Sequence, residues 1–335
     1  MNRLRHKIFL ALHLCCTVAL AQLPGNGAWL SCIGDEVPLS RLSLPGAHDA
    51  ATGEGLRFAA GFGKTQSLGV SQLWDCGVRA FDLRPALSDG KLHIYHGPVK
   101  TNISFDEALG ILCAKLEQQP QEFAIVLLRN EGKACAEWGT AIGEAIAALG
   151  DKAALFSPAM CVGDVRGKVL FLSRDAYTGT DRGGLITGWN HSADGSCNAA
   201  IHPCTGGSAA PLCQQDFYNA SGDGVQEKKC EAVMHCLSIA GNAPIGTWVI
   251  NFLSAYRTTW LGCTPFATTA GYKRNAQVVN TLVAEHLEQA GKASTGILFM
   301  DYAGVDEAPG GIWHWSEFNT SGSRLVQLII EQNFR

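Results

Sequence analysis

Short apolar runs, each stopping at a polar or ionisable residue, recur along this chain: LSLPGAHD, VRAFDLRP, KLHIYHG, FAIVLLRN, KVLFLSRD, TWVINFLS and GILFMDY. Near-continuous apolar runs of this length suit strands covered on both faces, because half-solvated strands alternate instead. Helical patterns lie between several of them. Ser104 caps FDEALGILCAKLEQQ, with Glu107 completing a capping box; WGTAIGEAIAALG is alanine-rich and ends at a glycine; KRNAQVVNTLVAEHLEQAG closes at Gly291. Strands alternating with helices predict an α/β fold, a single irregular TIM-type barrel of parallel strands. In such a barrel the strand tails converge on one face, and catalytic groups sit there.

The rhythm breaks between Thr178 and Asn242, a stretch rich in Gly, Ser, Asn and Cys. Long loops of this composition carry function or are stapled. Residues 178–242 are therefore expected to form a Cys-rich loop insertion over the catalytic face of one barrel domain, 22–335. No Pro- or Ser-rich linker divides that domain, and α/β barrels of about 300 residues occur as one unit.

Residues 1–21 read as a secretory signal peptide. Arg3, Arg5 and Lys7 precede the apolar IFLALHLCCTVAL, and Ala19-Leu20-Ala21 forms an A-x-A cleavage site. An uncleaved anchor is the competing reading, but the apolar part is short for a span. Cleavage lowers Lys+Arg from 26 to 23 against 30 Asp+Glu, so the net charge moves from −4 to −7. A chain this acidic is not expected to bind nucleic acid, nor to be drawn to an anionic membrane by overall charge. Of 13 cysteines, Cys15 and Cys16 leave with the signal and 11 remain, an odd number. Export with so many cysteines predicts several disulfides among Cys197, Cys204, Cys213, Cys230, Cys236 and Cys263; zinc is the rival, without C-x2-C spacing to support it. Asn102, Asn190, Asn219 and Asn319 lie in glycosylation sequons, a common chance pattern.

Five ionisable residues gather at the tails of the first three runs: His48 and Asp49, Asp82 and Arg84, then His96. One imidazole can take a proton and the other give one, while the guanidinium holds an anion between them. That is equipment for phosphoryl chemistry without a metal. Read singly, His48 after Pro-Gly-Ala suits a capping or core-satisfied residue, and Arg84 suits a structural salt bridge to Asp82.

PGAHDA, RAFDLRP and HIYHGP, in this order and spacing, resemble the catalytic X region of phosphatidylinositol-specific phospholipase C, the small secreted bacterial type. The similarity continues through FAIVLLRNE, KVLFLSRD and WVINFLSAY to GILFMDY, roughly residues 38–330. The resemblance implies cleavage of the phosphatidylinositol phosphodiester, with glycosyl-phosphatidylinositol anchors as a further substrate class, to diacylglycerol and inositol 1,2-cyclic phosphate. It makes His48 the general base, oriented by Asp301, and His96 the general acid, with Asp49 as its partner. Arg84 takes the position of the calcium ion of intracellular relatives, so no metal or other cofactor is expected. Asp82 either supports Arg84 or lies near the attacked hydroxyl. Arg174 and Arg129, the latter with Glu131, are expected at the inositol ring, and Tyr256 stacks beneath it; a further ring-binding aspartate has no clear position in this sequence.

The expected partner is a phosphatidylinositol-containing membrane surface, touched reversibly by a secreted monomer. Trp260, Phe58, Phe62, Trp313 and Trp315 are aromatics in glycine- or polar-rich segments, and such residues favour the headgroup level. Two other readings stand beside this one: a catalytically silent module that binds inositol lipid or protein, and a metal-dependent glycerophosphodiesterase-like barrel using an acid such as Glu54.

Overall fold

In a computed structural model describing residues 26–57, 63–191, 195–256, 258–261, 264–267, 269–309 and 317–334, nine strands close into a barrel. Numbering only these wall strands, they are β1 (Ser43–Ala47), β2 (Ala80–Leu83), β3 (Ala124–Leu128), β4 (Val169–Ser173), β5 (Gly184–Thr187), β6 (Ser196–Pro203), β7 (Ala210–Gln215), β8 (Trp248–Phe252) and β9 (Gly296–Met300). Every neighbouring pair is parallel except those made by β6, which runs antiparallel to both β5 and β7. β1, β3, β4, β8 and β9 are buried along their whole length, as the unbroken apolar runs require.

The glycine of PGAHDA has a packing reason. A Cβ at Gly46 would lie 2.8 Å from the Phe299 ring and 3.1 Å from the Leu298 carbonyl oxygen. Its absence lets β1 lie close against β9, which sets the spacing between the residues that follow the two strands, His48 and Asp301. At the opposite end, Arg79 and Glu122 form a fully buried ion pair of 2.8 Å that joins the approaches to β2 and β3.

The expected helices are present. Phe105–Gln118 carries the capping box, with the Glu107 backbone N–H donating to Ser104 Oγ at 3.2 Å and the Ser104 N–H to the Glu107 carboxylate at 2.8 Å. Ala136–Ala147, Val225–Asn242, Thr269–Gln289 and Gly322–Glu331 follow. Among the described residues no helix is long and apolar enough to cross a membrane.

Three expectations change. KLHIYHG is not a barrel strand: Lys91–His96 pairs antiparallel with Pro85–Ser88 and Val99–Ser104 in a separate three-stranded sheet. Its alternating exposure, with Leu92 and Ile94 buried, is the pattern of a one-sided sheet. Residues 178–242 are not only an irregular cover: they supply β5, β6, β7 and the helix Val225–Asn242. The hydrophobic stretches there are short and interrupted because a meander replaces one strand–helix unit. Of the several disulfides expected, the described residues show one, Cys197–Cys213, which staples β6 to β7. Cys204, Cys230 and Cys236 are free thiols. The expected signal peptide 1–21, Cys263 and the aromatics Phe58, Phe62, Trp313 and Trp315 lie outside the described residues, and Trp260 is described only as part of the strand Thr258–Leu261.

Candidate active site

The carboxyl ends of the wall strands deliver nearly all the ionisable side chains. His48 and Asp49 follow β1, Asp82 lies within β2 and Arg84 just after it, Arg129 follows β3, Arg174 follows β4, Asp216 follows β7 and Asp301 follows β9. His96 arrives from the side sheet. Asp49 has a left-handed backbone (φ 43°), which Asp tolerates better than most residues, and its N–H donates to Asp82 at 3.3 Å.

Asp49 is the hub. One carboxylate oxygen lies 3.1 Å from Arg84 Nε; the other lies 3.1 Å from His48 Nε2 and 3.3 Å from His96 Nε2. The two imidazole centroids are 6.2 Å apart and nearly perpendicular. Arg84 also donates to Asp82 at 2.8 Å, and its outer nitrogen lies 4.0 Å from Glu131. Its guanidinium is directed inward and 9 % exposed. Asp82 contacts Arg84 through Oδ2, while its Oδ1 makes no hydrogen bond with the described residues.

His48 Nδ1 lies 2.7 Å from Asp301 Oδ1, on the side away from Asp49. Burial, then the nearby Arg84 and His96, holds the His48 imidazole well below its ordinary value. One proton therefore lies between His48 Nδ1 and Asp301, and the Nε2 edge of the ring faces Asp49. The strand ends are fixed from behind: the Gln66 amide donates 2.8 Å bonds to the carbonyls of both His48 and Met300, and its oxygen accepts from Ala303 at 3.0 Å.

His96 differs. Its Nδ1 lies 2.5 Å from the Gly63 carbonyl, which only accepts, so Nδ1 carries a proton. Its Nε2 faces the Asp49 carboxylate at 3.3 Å. Between the rings, burial pushes Asp49 up to about 6 although Arg84 and His96 oppose it. Burial also acts to raise Asp82, but Arg84 and then Arg174 outweigh it and hold that carboxyl below its ordinary range.

Arg174 is buried beside this cluster, 3.7 Å from Asp82 and 3.1 Å from Asp216, with its guanidinium over Trp189 at 4.6 Å. Asp216 accepts further from Trp189 Nε1 at 3.0 Å and pairs with His191 at 3.1 Å. Despite burial, the His191 and Arg174 contacts hold Asp216 down at about 2. Asp216 was missed in the sequence. APLCQQDFY has the same form as the other strand tails, an apolar start ending at an acid, but sits in the Cys-rich stretch. Arg129 does not join the core of the cluster: its side chain is 40 % exposed and pairs with Glu131 at 3.7 Å. Tyr256 lies on the rim, its ring 5.7 Å from Tyr218, which in turn packs at 4.7 Å on His191. Glu54 is not directed to the cluster; its carboxylate accepts from the Val70 N–H at 2.8 Å, at the start of a helix.

Two imidazoles and a guanidinium thus meet around the Asp49 carboxylate at the carboxyl end of an α/β barrel. No family model matches the chain. The chain is 25% identical over 299 residues to the 1-phosphatidylinositol phosphodiesterase of Staphylococcus aureus strain Newman, covering 85% of this chain and 90% of that protein. It is 28% identical over 156 residues to the protein of the same name from Listeria monocytogenes, where the match spans 44% of this chain and about half of that one, 48%. A crystal structure of the Staphylococcus aureus phosphatidylinositol-specific phospholipase C, with pentafluoro-Phe incorporated, superposes with a TM-score of 0.69 at 22% identity, covering 91% of this chain and 97% of that one. The Listeria monocytogenes phosphatidylinositol-specific phospholipase C gives 0.67 at 20%, covering 92% and 99%. The fold is thus that of an α/β-barrel phospholipase. In sequence and in fold the chain is similar to the bacterial phosphatidylinositol-specific phospholipases C.

Proposed function

We propose that this chain cleaves the phosphodiester of phosphatidylinositol by general acid–base catalysis without a metal ion, releasing diacylglycerol and forming inositol 1,2-cyclic phosphate. The observation that carries the reading is the single Asp49–Arg84 ion pair lying between the His48 and His96 nitrogens.

His48 Nε2 takes the proton of the inositol 2-hydroxyl, and that oxygen forms a bond to phosphorus. The bond from phosphorus to the glycerol oxygen breaks, and His96 Nε2–H supplies the proton to the departing oxygen. Asp301 stabilises the imidazolium formed on His48. Arg84 donates to the non-bridging oxygens, a planar fork doing part of a cation's work. Burial acts against its charge, but Asp49, Asp82 and Glu131 outweigh this and keep it protonated.

Ring recognition falls to Arg174 and Asp216, with Arg129 and Glu131 on one side and Tyr256 on the rim. Arg174 Nε and Nη2, Asp82 Oδ1 and Glu131 Oε2 are buried and make no hydrogen bond with the described residues. A polyhydroxylated ring offers donors and acceptors to such atoms. Residues 1–21 direct export, and the protein acts as a monomer at a phosphatidylinositol-containing surface; membrane binding is a studied property of the Staphylococcus aureus relative, which superposes with a TM-score of 0.69.

A second reading is a metal-dependent phosphodiesterase, because His48, Asp49 and Asp82 bring three ligand atoms within 4.8 Å of one another. Phosphorus NMR of phosphatidylinositol vesicles with excess chelator separates the two. A cyclic phosphate formed under chelator and lost in His48→Ala supports the proposal. Turnover only with added metal supports the second reading, and vesicle binding without turnover identifies a silent binding module.

A further inference from the structure

Tyr272 lies in the first turn of the helix Thr269–Gln289, far in sequence from every motif that suggested the site. Its ring is 4 % exposed and packs with Ala276, Tyr302 and Ala308. The hydroxyl lies 3.3 Å from His96 Nε2, with the two rings 5.6 Å apart. No other hydrogen bond to this hydroxyl is made by the described residues. We propose that Tyr272 is a positioning residue for the catalytic acid: its O–H donates to His96 Nε2 once that nitrogen has released its proton.

The argument follows from which groups face His96. Nδ1 is committed to the Gly63 carbonyl. Nε2 faces the Asp49 carboxylate at 3.3 Å and the Tyr272 hydroxyl at the same distance. Among the described residues, the other charged or titratable groups placed around it are His48, at 6.2 Å between centroids, Arg84, whose guanidinium rests on Asp49, and Glu131, which accepts the N–H of neighbouring Gly97 at 2.8 Å. While the ring is a cation, Nε2–H points to the carboxylate. When the proton passes to the departing glycerol oxygen, Nε2 presents a lone pair, and among these groups only the Tyr272 hydroxyl is placed to donate to it. Burial, together with Asp49 and Asp301, keeps the phenol protonated far above neutral pH, so a donor is always available. No bond to Tyr272 forms or breaks; the hydrogen bond favours the neutral imidazole and so makes the imidazolium a stronger acid.

The inference rests on His96 being the acid, so its test uses two readouts. The His96 ring is titrated by NMR with 15N-labelled histidine in the full-length protein, wild type and Tyr272→Phe, and the pH profile of kcat/KM is measured on phosphatidylinositol vesicles. Losing the donor should raise the His96 midpoint by about half to one pH unit, and the alkaline limb of the profile should move up with it. A midpoint that stays in place or falls overturns the inference, since a purely structural tyrosine would alter melting temperature without moving the titration. Should Tyr272→Phe not fold, 3,5-difluorotyrosine at position 272 is a stronger donor in the same shape and should lower the midpoint; a rise overturns the inference equally. Absence of turnover in the wild type would defeat the functional reading, while the NMR titration still decides the role of Tyr272.

Discussion

Asp49 and Arg84 meet at 3.1 Å between a carboxylate oxygen and Nε, and the second oxygen of Asp49 touches both His48 and His96. In the proposed reaction the phosphate would meet Arg84 beside Asp49. Arg84 can turn one edge to that phosphate without losing its position, because Asp82 holds it at 2.8 Å. On the proposed reading the guanidinium would be held in place before substrate arrives, and such preorganisation is where electrostatic catalysis gains most.

Replacing Arg84 by Lys should therefore cost about 10²–10³ in kcat. An ammonium is a point charge and cannot hold Asp82 with one edge while donating two bonds to phosphate. The melting temperature should change by only a few degrees, because one cation still faces Asp49 and Asp82. The phosphorus NMR assay, with a thermal melt of the same sample, checks this; a lysine variant with wild-type turnover would remove Arg84 from the chemistry.

Asp216→Asn should weaken ring recognition and flatten acid unfolding together. Its carboxyl is held at about 2, below the usual carboxylate range, by the His191 and Arg174 contacts that outweigh burial. The depressed carboxylate stabilises the fold at pH above about 4, and that contribution is lost as pH falls toward 2, roughly 2 kcal/mol in all. Urea midpoints of wild type and variant, compared from pH 6 to 2.5, should differ most at pH 6 and converge at the acid end. In the assay KM should rise more than kcat falls, since Asp216 supports Arg174 rather than the reacting atoms.

How much of this the sequence disclosed follows from how local each signal is. His48, Asp301, Arg84 and Arg174 lie directly after unbroken apolar runs, and that grammar is sufficient to place them at one barrel end. His96 also reached the site, but from a side sheet, because a two-residue alternation over six residues looks much like a short buried strand until its partners are known. Asp216 was hidden by composition: cysteine, glycine and serine around it resemble a stapled loop, although the strand packs as wall. Gln66 and Tyr272 had no local signal at all. Each acts through side-chain hydrogen bonds spanning long sequence separations, a relationship only the closed barrel creates.

The Cys197–Cys213 bridge closes a loop with a sequence separation of 16 residues. A loop of that size corresponds to about 3 kcal/mol in the chain-entropy account. Wild-type protein should lose stability of that order when treated with reductant, and Cys197→Ser/Cys213→Ser should match the reduced protein and no longer respond. Urea unfolding with and without reductant measures both. A wild-type midpoint indifferent to reductant would show that the meander β5–β7 does not depend on the bridge.

Lys229 gives the sharpest pH signature. It is fully buried, and donates to Gln215 Oε1 at 3.2 Å and to the Phe252 carbonyl at 2.5 Å. Burial pushes it down to about 7 from 10.5, against the pull of Asp216 and Asp301. Between those values the unfolded chain holds this proton more firmly than the folded protein, so stability should rise with pH from 7 toward 10. Over pH 7–9 the gain is roughly 2–3 kcal/mol. Lys229→Met should abolish that slope. The acceptors it leaves remain satisfied, since Gln215 Oε1 still takes the Phe217 N–H at 2.5 Å and the Phe252 carbonyl takes the Gln215 amide at 2.9 Å. Urea unfolding of both proteins at pH 7, 8 and 9 tests this directly. Equal slopes in the two would mean that the Lys229 charge is not what the fold titrates, and that its two hydrogen bonds are purely structural.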